Sequence, residues 1–250
     1  VMLLENKAAV IYGAGGSIGG AVARAFAREG ARLYLAGRTK PKLDVLAEEI
    51  VADGGQVATA EVDATDETAV DNYVDAIVDE AGRLDVSVNV IGLGDVQQPL
   101  TSIDLADFMQ PISTAMRSHF ITDRAAVRHM IPQGSGVIIA FGGSGATTMP
   151  GLGGFVVALD AIEGLRRQWA VEVGQHGIRV VTLKSGGVPE SIPLDFPERE
   201  TIINTLLPTT LLGRLATLTD VGNVAAFVAS DQARTLTGTA VNISCGAMMD

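Results

Sequence analysis

The stretch of this 250-residue chain that is richest in potential chemistry is Lys7 to Gly20, KAAVIYGAGGSIGG. A short apolar run, Ala8 to Ile11, is followed by glycines at 13, 15, 16, 19 and 20 and then by a helical pattern. Glycines remove side chains where a backbone turns tightly. They let phosphate oxygens approach main-chain N–H groups, with the positive end of a helix dipole behind them. Gly13, Gly15, Gly16, Ser17, Ile18 and Gly19 are therefore expected to cradle a nucleotide pyrophosphate, a plain structural turn being the alternative. The second position of this kind is Arg38, after the run RLYLA. The end of the second strand of a dinucleotide fold faces the adenosine ribose, where an acid accepts from a free 2′-hydroxyl and an arginine pairs with a 2′-phosphate. No acid stands there, so Arg38 favours NADP(H) over NAD(H), with Lys40 and Lys42 as helpers. The alternative is an exposed arginine on a solvated turn.

Positioning these residues requires a repeating strand and helix pattern, and the chain supplies one. Strands are expected over 8–11, 32–36, 56–62, 84–90, 136–140, 178–183 and 240–243, and helices over 17–29, 40–52, 67–81, 155–176 and 219–229. Residues 104–130 carry two helical patterns interrupted near Pro111. Such βα units, each about 30 residues long, imply parallel strands joined by right-handed crossovers. The expected architecture is α/β: one Rossmann-type domain over 1–250, a doubly wound parallel sheet of about seven strands with helices on both faces. Asp63 and Ala64 end the third strand, and Asn89 and Gly92 follow the fourth, so all four fall where the ligand crevice should lie. An adenine contact is expected of Asp63 and a turn-stabilising or cofactor-facing role of Asn89, with helix capping as the alternative for both. Residues 185–208 contain Pro189, Pro193, Pro197 and Pro208 and read as an irregular or short-helical lid.

Composition narrows the function. A net charge of −11 argues against nonspecific binding to nucleic acid, whose phosphates need a basic surface. Cys245 is the one cysteine, which excludes an intrachain disulfide and a thiolate metal cluster. His119, His129 and His176 lack ligand spacing, so no metal is expected. No run of 18 or more apolar residues and no signal-type N-terminus is found, which leads to the expectation of a cytoplasmic protein without a membrane partner.

The chain resembles the short-chain dehydrogenase/reductase family, whose turn reads Thr-Gly-x-x-x-Gly-x-Gly and whose fourth strand ends Asn-Asn-Ala-Gly. Here these are Tyr12-Gly13-Ala14-Gly15-Gly16-Ser17-Ile18-Gly19 and Asn89-Val90-Ile91-Gly92. Leu212-Gly213-Arg214, Phe227 to Asp231 and Thr237-Gly238 fall in the order and spacing of the family's C-terminal segment. The resemblance implies hydride transfer from a nicotinamide, with a tyrosine giving the proton, a lysine four residues later, a serine about 13 residues before the tyrosine, and an asparagine on the preceding long helix. Anchored on Ala170 to Val173, the tyrosine position is Phe155, the lysine Leu159 and the serine Gly142. Phe108 and His129-Met130 both place the asparagine at Ala115. None of the four carries the family's functional group. The enoyl reductase spacing, with the tyrosine at Leu152, fails as well, although Ala161-Ile162-Glu163 resembles that group's helix. Gly186 holds the family's proline-glycine position, and Val188 falls where the backbone usually meets the nicotinamide carboxamide.

Candidate replacement donors are Ser144, Thr147, Thr148, Asp160 and His119. The expected function is a divergent NADP(H)-binding oxidoreductase acting on a small carbonyl, alcohol or related substrate, in a pocket bounded by residues 142–144, 152–155 and the lid. The alternatives are a catalytically silent binding or assembly subunit and a non-redox lyase, isomerase or cyclase. The resemblance also implies a homo-oligomer, a tetramer or dimer formed through the two long helices and the C-terminal segment.

Overall fold

The computed structural model describes residues 2–142, 148–197 and 199–249. Seven strands form its sheet: β1 (Ala8–Tyr12), β2 (Arg32–Gly37), β3 (Gln56–Glu61), β4 (Val86–Asn89), β5 (Gly136–Phe141), β6 (Ile178–Lys184) and β7 (Thr239–Asn242). They are parallel throughout and ordered β3-β2-β1-β4-β5-β6-β7. The chain winds outward from β1 in one direction to β3 and in the other to β7, so the strand order reverses between β1 and β4. A crevice at the carboxyl ends is expected at that reversal.

The helices are α1 (Ser17–Arg28), α2 (Lys40–Ala52), α3 (Glu67–Ala81), α4 (Leu105–Gln133), α5 (Phe155–Val173), α6 (Arg199–Leu206) and α7 (Leu218–Ala229). Alternation along the strands sorts the core into two layers. Ala9, Ile11, Leu33, Leu35, Val86, Val88, Val181 and Leu183 pack with α1, α2 and α7. Ala8, Val10, Tyr12, Tyr34, Ile138, Ile178 and Val180 pack with α3, α4 and the end of α5. Strands buried on both faces account for the near-continuous apolar runs in the sequence.

One expectation fails. The pattern over 104–130 is not two helices but a single 29-residue helix that contains Pro111 and Pro132. An interior proline removes one hydrogen bond and costs about 3 kcal/mol. Here Pro111 is buried against the turn that opens α5: a Cβ added to Gly154 would lie 3.2 Å from its Cγ. The helix is also started firmly, since the Asp104 carboxylate accepts the Asp107 N–H at 2.8 Å. Tertiary packing and the cap together outweigh the break. The helix expected over 155–176 ends at Val173 and continues as a 3-10 turn, Gly174–His176. Residues 185–208 are short-helical, with 3-10 turns Pro189–Ser191 and Leu207–Thr209 flanking α6, which buries no residue of its own.

Candidate functional site

A cleft of about 490 Å³ opens at the carboxyl ends of β1 to β4. Gly13, Gly15, Gly16, Arg38, Asp63, Ala64 and Gly92 all line it. The turn is fixed by backbone bonds: the Gly13 and Ala14 N–H groups donate to the Ala36 carbonyl at 2.9 and 3.3 Å, and Gly16 N–H donates to the Gly13 carbonyl at 3.1 Å. Ser17, Ile18 and Gly19 form the first turn of α1 directly behind it.

Two glycines of this turn serve opposite ends. A Cβ on Gly19 would lie 2.4 Å from the Gly13 carbonyl oxygen, so only glycine lets the helix sit so close to the turn. A Cβ on Gly16 would meet nothing nearer than 3.4 Å, and Gly16 is exposed. Packing does not demand its missing side chain, and the space stays open on the cleft. Among the described residues no side chain caps α1, whereas Asp66, Asp104 and Thr217 cap α3, α4 and α7. The first N–H groups of α1 therefore lack a partner within the helix and a side chain in front of it. A phosphate fits both the open cradle and these donors.

Arg38 is exposed on the cleft wall, and among the described residues it makes no hydrogen bond or ion pair. Lys42 lines the same wall. Lys40 does not, because it is held by Asp44 at 2.7 Å and reaches Thr59 at 3.2 Å. The Asp63 carboxylate accepts the Thr65 N–H at 2.8 Å and the Thr65 hydroxyl at 2.7 Å, both through Oδ1. These two bonds hold its pKa below the usual carboxylate range, with the charges of Arg38 and Arg117 adding to them.

Asn89 is buried and spent on the fold. Its Nδ2 donates to Thr122 Oγ1 at 3.1 Å, and its Oδ1 accepts the Ile91 N–H at 3.3 Å, which ties the β4 turn to α4. Gly186 and Val188 do not line the cleft. A Cβ on Gly186 would lie 2.9 Å from that of Ala247, and the Val188 side chain belongs to the core beside α1 and α7. Gln110 and Thr114 on α4 do line it and had not been expected. Two polar residues at i, i+4 spacing just before Ala115 were the available signal.

The four positions matching the family's catalytic set gather at one corner, beyond the carboxyl ends of β4 and β5. Ala115, Phe155 and Leu159 share an apolar cluster with Leu93, Ala140, Ala158 and Ile162. A Cβ on Gly142 would lie 3.2 Å from Leu159 Cδ2, which places Gly142 against the same wall. None of these side chains can give a proton. Of the replacement donors, Ser144 and Thr147 lie outside the described residues, and Thr148 and Asp160 are exposed. His119 is buried, and burial pushes its pKa down to about 4, so the ring is neutral at pH 7. Among the described residues, no group of three or more His, Cys, Asp or Glu could hold a metal ion.

Known proteins resemble the chain over nearly its whole length. A family model described as enoyl-(acyl carrier protein) reductase matches residues 13–248. Secoisolariciresinol dehydrogenase of Forsythia intermedia is 32% identical over 245 residues, spanning 94% of this chain and 86% of that protein. A 3-oxoacyl-(acyl-carrier-protein) reductase of Thermotoga maritima is 29% identical over 248 residues, spanning 98% of this chain and 99% of that protein. Among solved structures, a 7α-hydroxysteroid dehydrogenase complexed with NADH and 7-oxoglycochenodeoxycholic acid superposes with a TM-score of 0.89 at 26% identity. That match covers 100% of this chain and 97% of the other.

Proposed function

The chain belongs to the short-chain dehydrogenase/reductase family of oxidoreductases, and from that premise we propose that it is a divergent NADP(H)-dependent member acting on a small carbonyl, alcohol or related substrate. The observation that carries this reading is the open glycine cradle beside an unpaired Arg38, retained while the catalytic corner has lost its proton donors. The bound nicotinamide supplies the hydride. Gly15, Gly16 and the start of α1 hold the pyrophosphate, and Arg38 with Lys42 takes the 2′-phosphate. Asp63 offers its Oδ2 to the adenine edge while Thr65 occupies Oδ1. Phe155, Leu159 and Ala115 form an apolar wall that excludes water and orients the substrate. Without a positioned acid, turnover is expected to be slower by ~10²- to 10⁴-fold, the remaining rate coming from orientation.

Calorimetric titration with NADPH and then NADH tests the reading. A micromolar Kd for NADPH should weaken by about tenfold or more in Arg38→Ala, the loss of a charge-assisted bond contributing roughly 1.5–3 kcal/mol. Affinity for NADH should barely change. No binding of either nucleotide at millimolar concentration would end this proposal.

The apolar corner also favours a second reading, a nucleotide-binding subunit that does not turn over; tight NADPH binding with no oxidation by carbonyl, imine or enone substrates, and copurification with a heteromeric partner, would select it. A homo-oligomer, dimer or tetramer, is supported by exposed apolar residues on the long helices and near the C-terminus, among them Phe120, Val171, Leu211 and Leu212. A cytoplasmic location belongs to the same proposal. No helix among the described residues is long and apolar enough to cross a membrane.

A further inference from the structure

Residues 90–104 link β4 to α4, and the first of them join the cleft to the apolar corner. Leu93 lines the cleft and also belongs to the corner cluster, so the two spaces meet at its side chain. Gly94 lines the cleft. The Val96 carbonyl oxygen would lie 2.9 Å from a Cβ on Gly153, which puts Val96 against the turn that opens α5. Asp95 stands between Gly94 and Val96, where the cleft passes into the corner. It is half-buried; among the described residues its carboxylate accepts from Gln97 Nε2 at 3.1 Å and pairs with no cation. A carboxylate withdrawn from water in this way is stabilised by a positive partner.

The corner suits such a partner in two further respects. Phe155 keeps an aromatic ring at the position of the family's tyrosine while lacking the hydroxyl, and a ring face attracts a cation. Leu159 stands where a lysine would place a like charge. Lys184, at the end of β6, is buried and already has a partner of its own. The net charge of −11 draws cations toward the molecule over longer range.

We propose that the substrate is a cation whose electrophile is a C=N⁺ double bond, an iminium ion, with the Asp95 carboxylate as its counter-charge and the Phe155 ring against it. This rests on the cofactor reading above. The electron count explains why a corner without an acid suffices. A hydride, one proton with two electrons, joins the iminium carbon as a C–H bond of the dihydronicotinamide breaks. The C=N π pair moves onto nitrogen and cancels its charge. NADPH becomes NADP⁺, the product is a neutral amine, and no proton is taken up. A ketone reduced in the same way becomes an alkoxide that must take a proton, and Ala115, Gly142, Phe155 and Leu159 offer none.

Calorimetry with NADP⁺ present reads substrate binding without turnover. One probe is N,N-dimethyltetrahydroisoquinolinium, a cation that cannot accept hydride; the other is the dimethyltetralin of the same shape, with carbon in place of nitrogen. The cation should bind about tenfold or more tighter than the neutral probe. In Asp95→Asn, which keeps an acceptor for Gln97, cation affinity should fall about fivefold or more, while the neutral probe and NADPH stay within about twofold. In Phe155→Leu, which keeps the bulk, cation affinity should fall about threefold or more. With NADPH, N-methyldihydroisoquinolinium should be reduced, and its kcat/KM should drop in Asp95→Asn by the same factor as the cation affinity. Equal affinity for the two probes, a cation affinity indifferent to Asp95→Asn, or NADPH binding without reduction of the iminium overturns the proposal and leaves the cofactor reading standing. Wild-type protein that binds no NADPH removes the cofactor reading, and this inference with it.

Discussion

The two ends of the cleft differ in what fills them. At the glycine turn, a side chain is missing where packing would allow one: Gly16 is exposed and a Cβ there would be accommodated. At the β5–α5 corner, side chains occupy the place where the family's polar groups would stand, and Leu159 lies against Gly142. On the proposed reading, binding and catalysis rest on different parts of the chain. The glycine turn is backbone geometry, fixed by close approaches such as that of Gly19 to Gly13. A catalytic group is only the tip of a side chain on a helix that packs without it. Phenylalanine at 155 and leucine at 159 pack against the apolar cluster of that corner.

The sharpest way to break this comparison is a pair of alanines in the turn. In Gly19→Ala the new methyl would lie 2.4 Å from a backbone oxygen, so α1 or the turn must shift. Overpacking against backbone is expected to cost about 3 kcal/mol or more, seen as a large fall in Tm with NADPH binding lost alongside it. Gly16→Ala should fold within about 1 kcal/mol of wild type, the residual being the poorer helix cap. Its methyl would instead stand in the cradle, and NADPH affinity should drop by about tenfold or more with Tm nearly unchanged. Equal Tm values for the two variants would mean that the two glycines are not doing different jobs.

Much of this was legible in the sequence, for identifiable reasons. The βα period, the glycine turn and Arg38 are local patterns, and each lies where its neighbours in sequence put it. Ala115, Gly142, Phe155 and Leu159, picked out by spacing alone, lie on two helices and at one strand end, and the structure brings them to one corner. Pro111 misled because its cost is local while its compensation comes from Gly154, far along the chain. Lys40 and Lys42 looked equivalent by composition, and only the structure shows Lys40 bound to Asp44 and Lys42 on the cleft. Asn89 was read with two roles open, and the buried hydroxyl of Thr122 on α4 is what takes its amide. Such pairings join elements distant in sequence, so no window of residues displays them.

A second test bears on the helix that walls the corner. His119 lies one turn beyond Ala115 on α4, buried and neutral, with its pKa held near 4 by burial. An unfolded chain takes up the proton near pH 6.5, and the folded one refuses it until about pH 4. The stability tied to neutral His119 is thus full above 6.5 and is lost as pH falls through that window, by about 3 kcal/mol at most. Asp123, buried one turn further on, has a raised carboxyl pKa and acts in the opposite direction, losing stability as pH rises. The measurement is therefore the difference between variant and wild type. Thermal unfolding of His119→Leu at pH 7 and pH 4.5 should show a smaller acid-induced fall in Tm than wild type; an identical fall would mean that the ring reaches water and that this flank of the corner is open.

The smallest expected effect tests whether the corner is committed to its apolar form. Gly142 sits at φ +99°, a conformation costing about 1–3 kcal/mol for a residue with a side chain. Restoring the family's serine by Gly142→Ser would incur that strain and bring its Cβ to 3.2 Å from Leu159 Cδ2. Tm should fall accordingly, while binding of adenosine 2′,5′-bisphosphate, which carries the adenine end alone, stays the same. Adding Leu159→Ala relieves the contact but not the backbone, so the double variant should recover only the part of the loss caused by crowding. A fully stable Gly142→Ser would show that the strand end relaxes easily, and that the corner differs from the cradle in side chains alone. A costly one would show that the backbone too has settled into a form in which serine is no longer welcome.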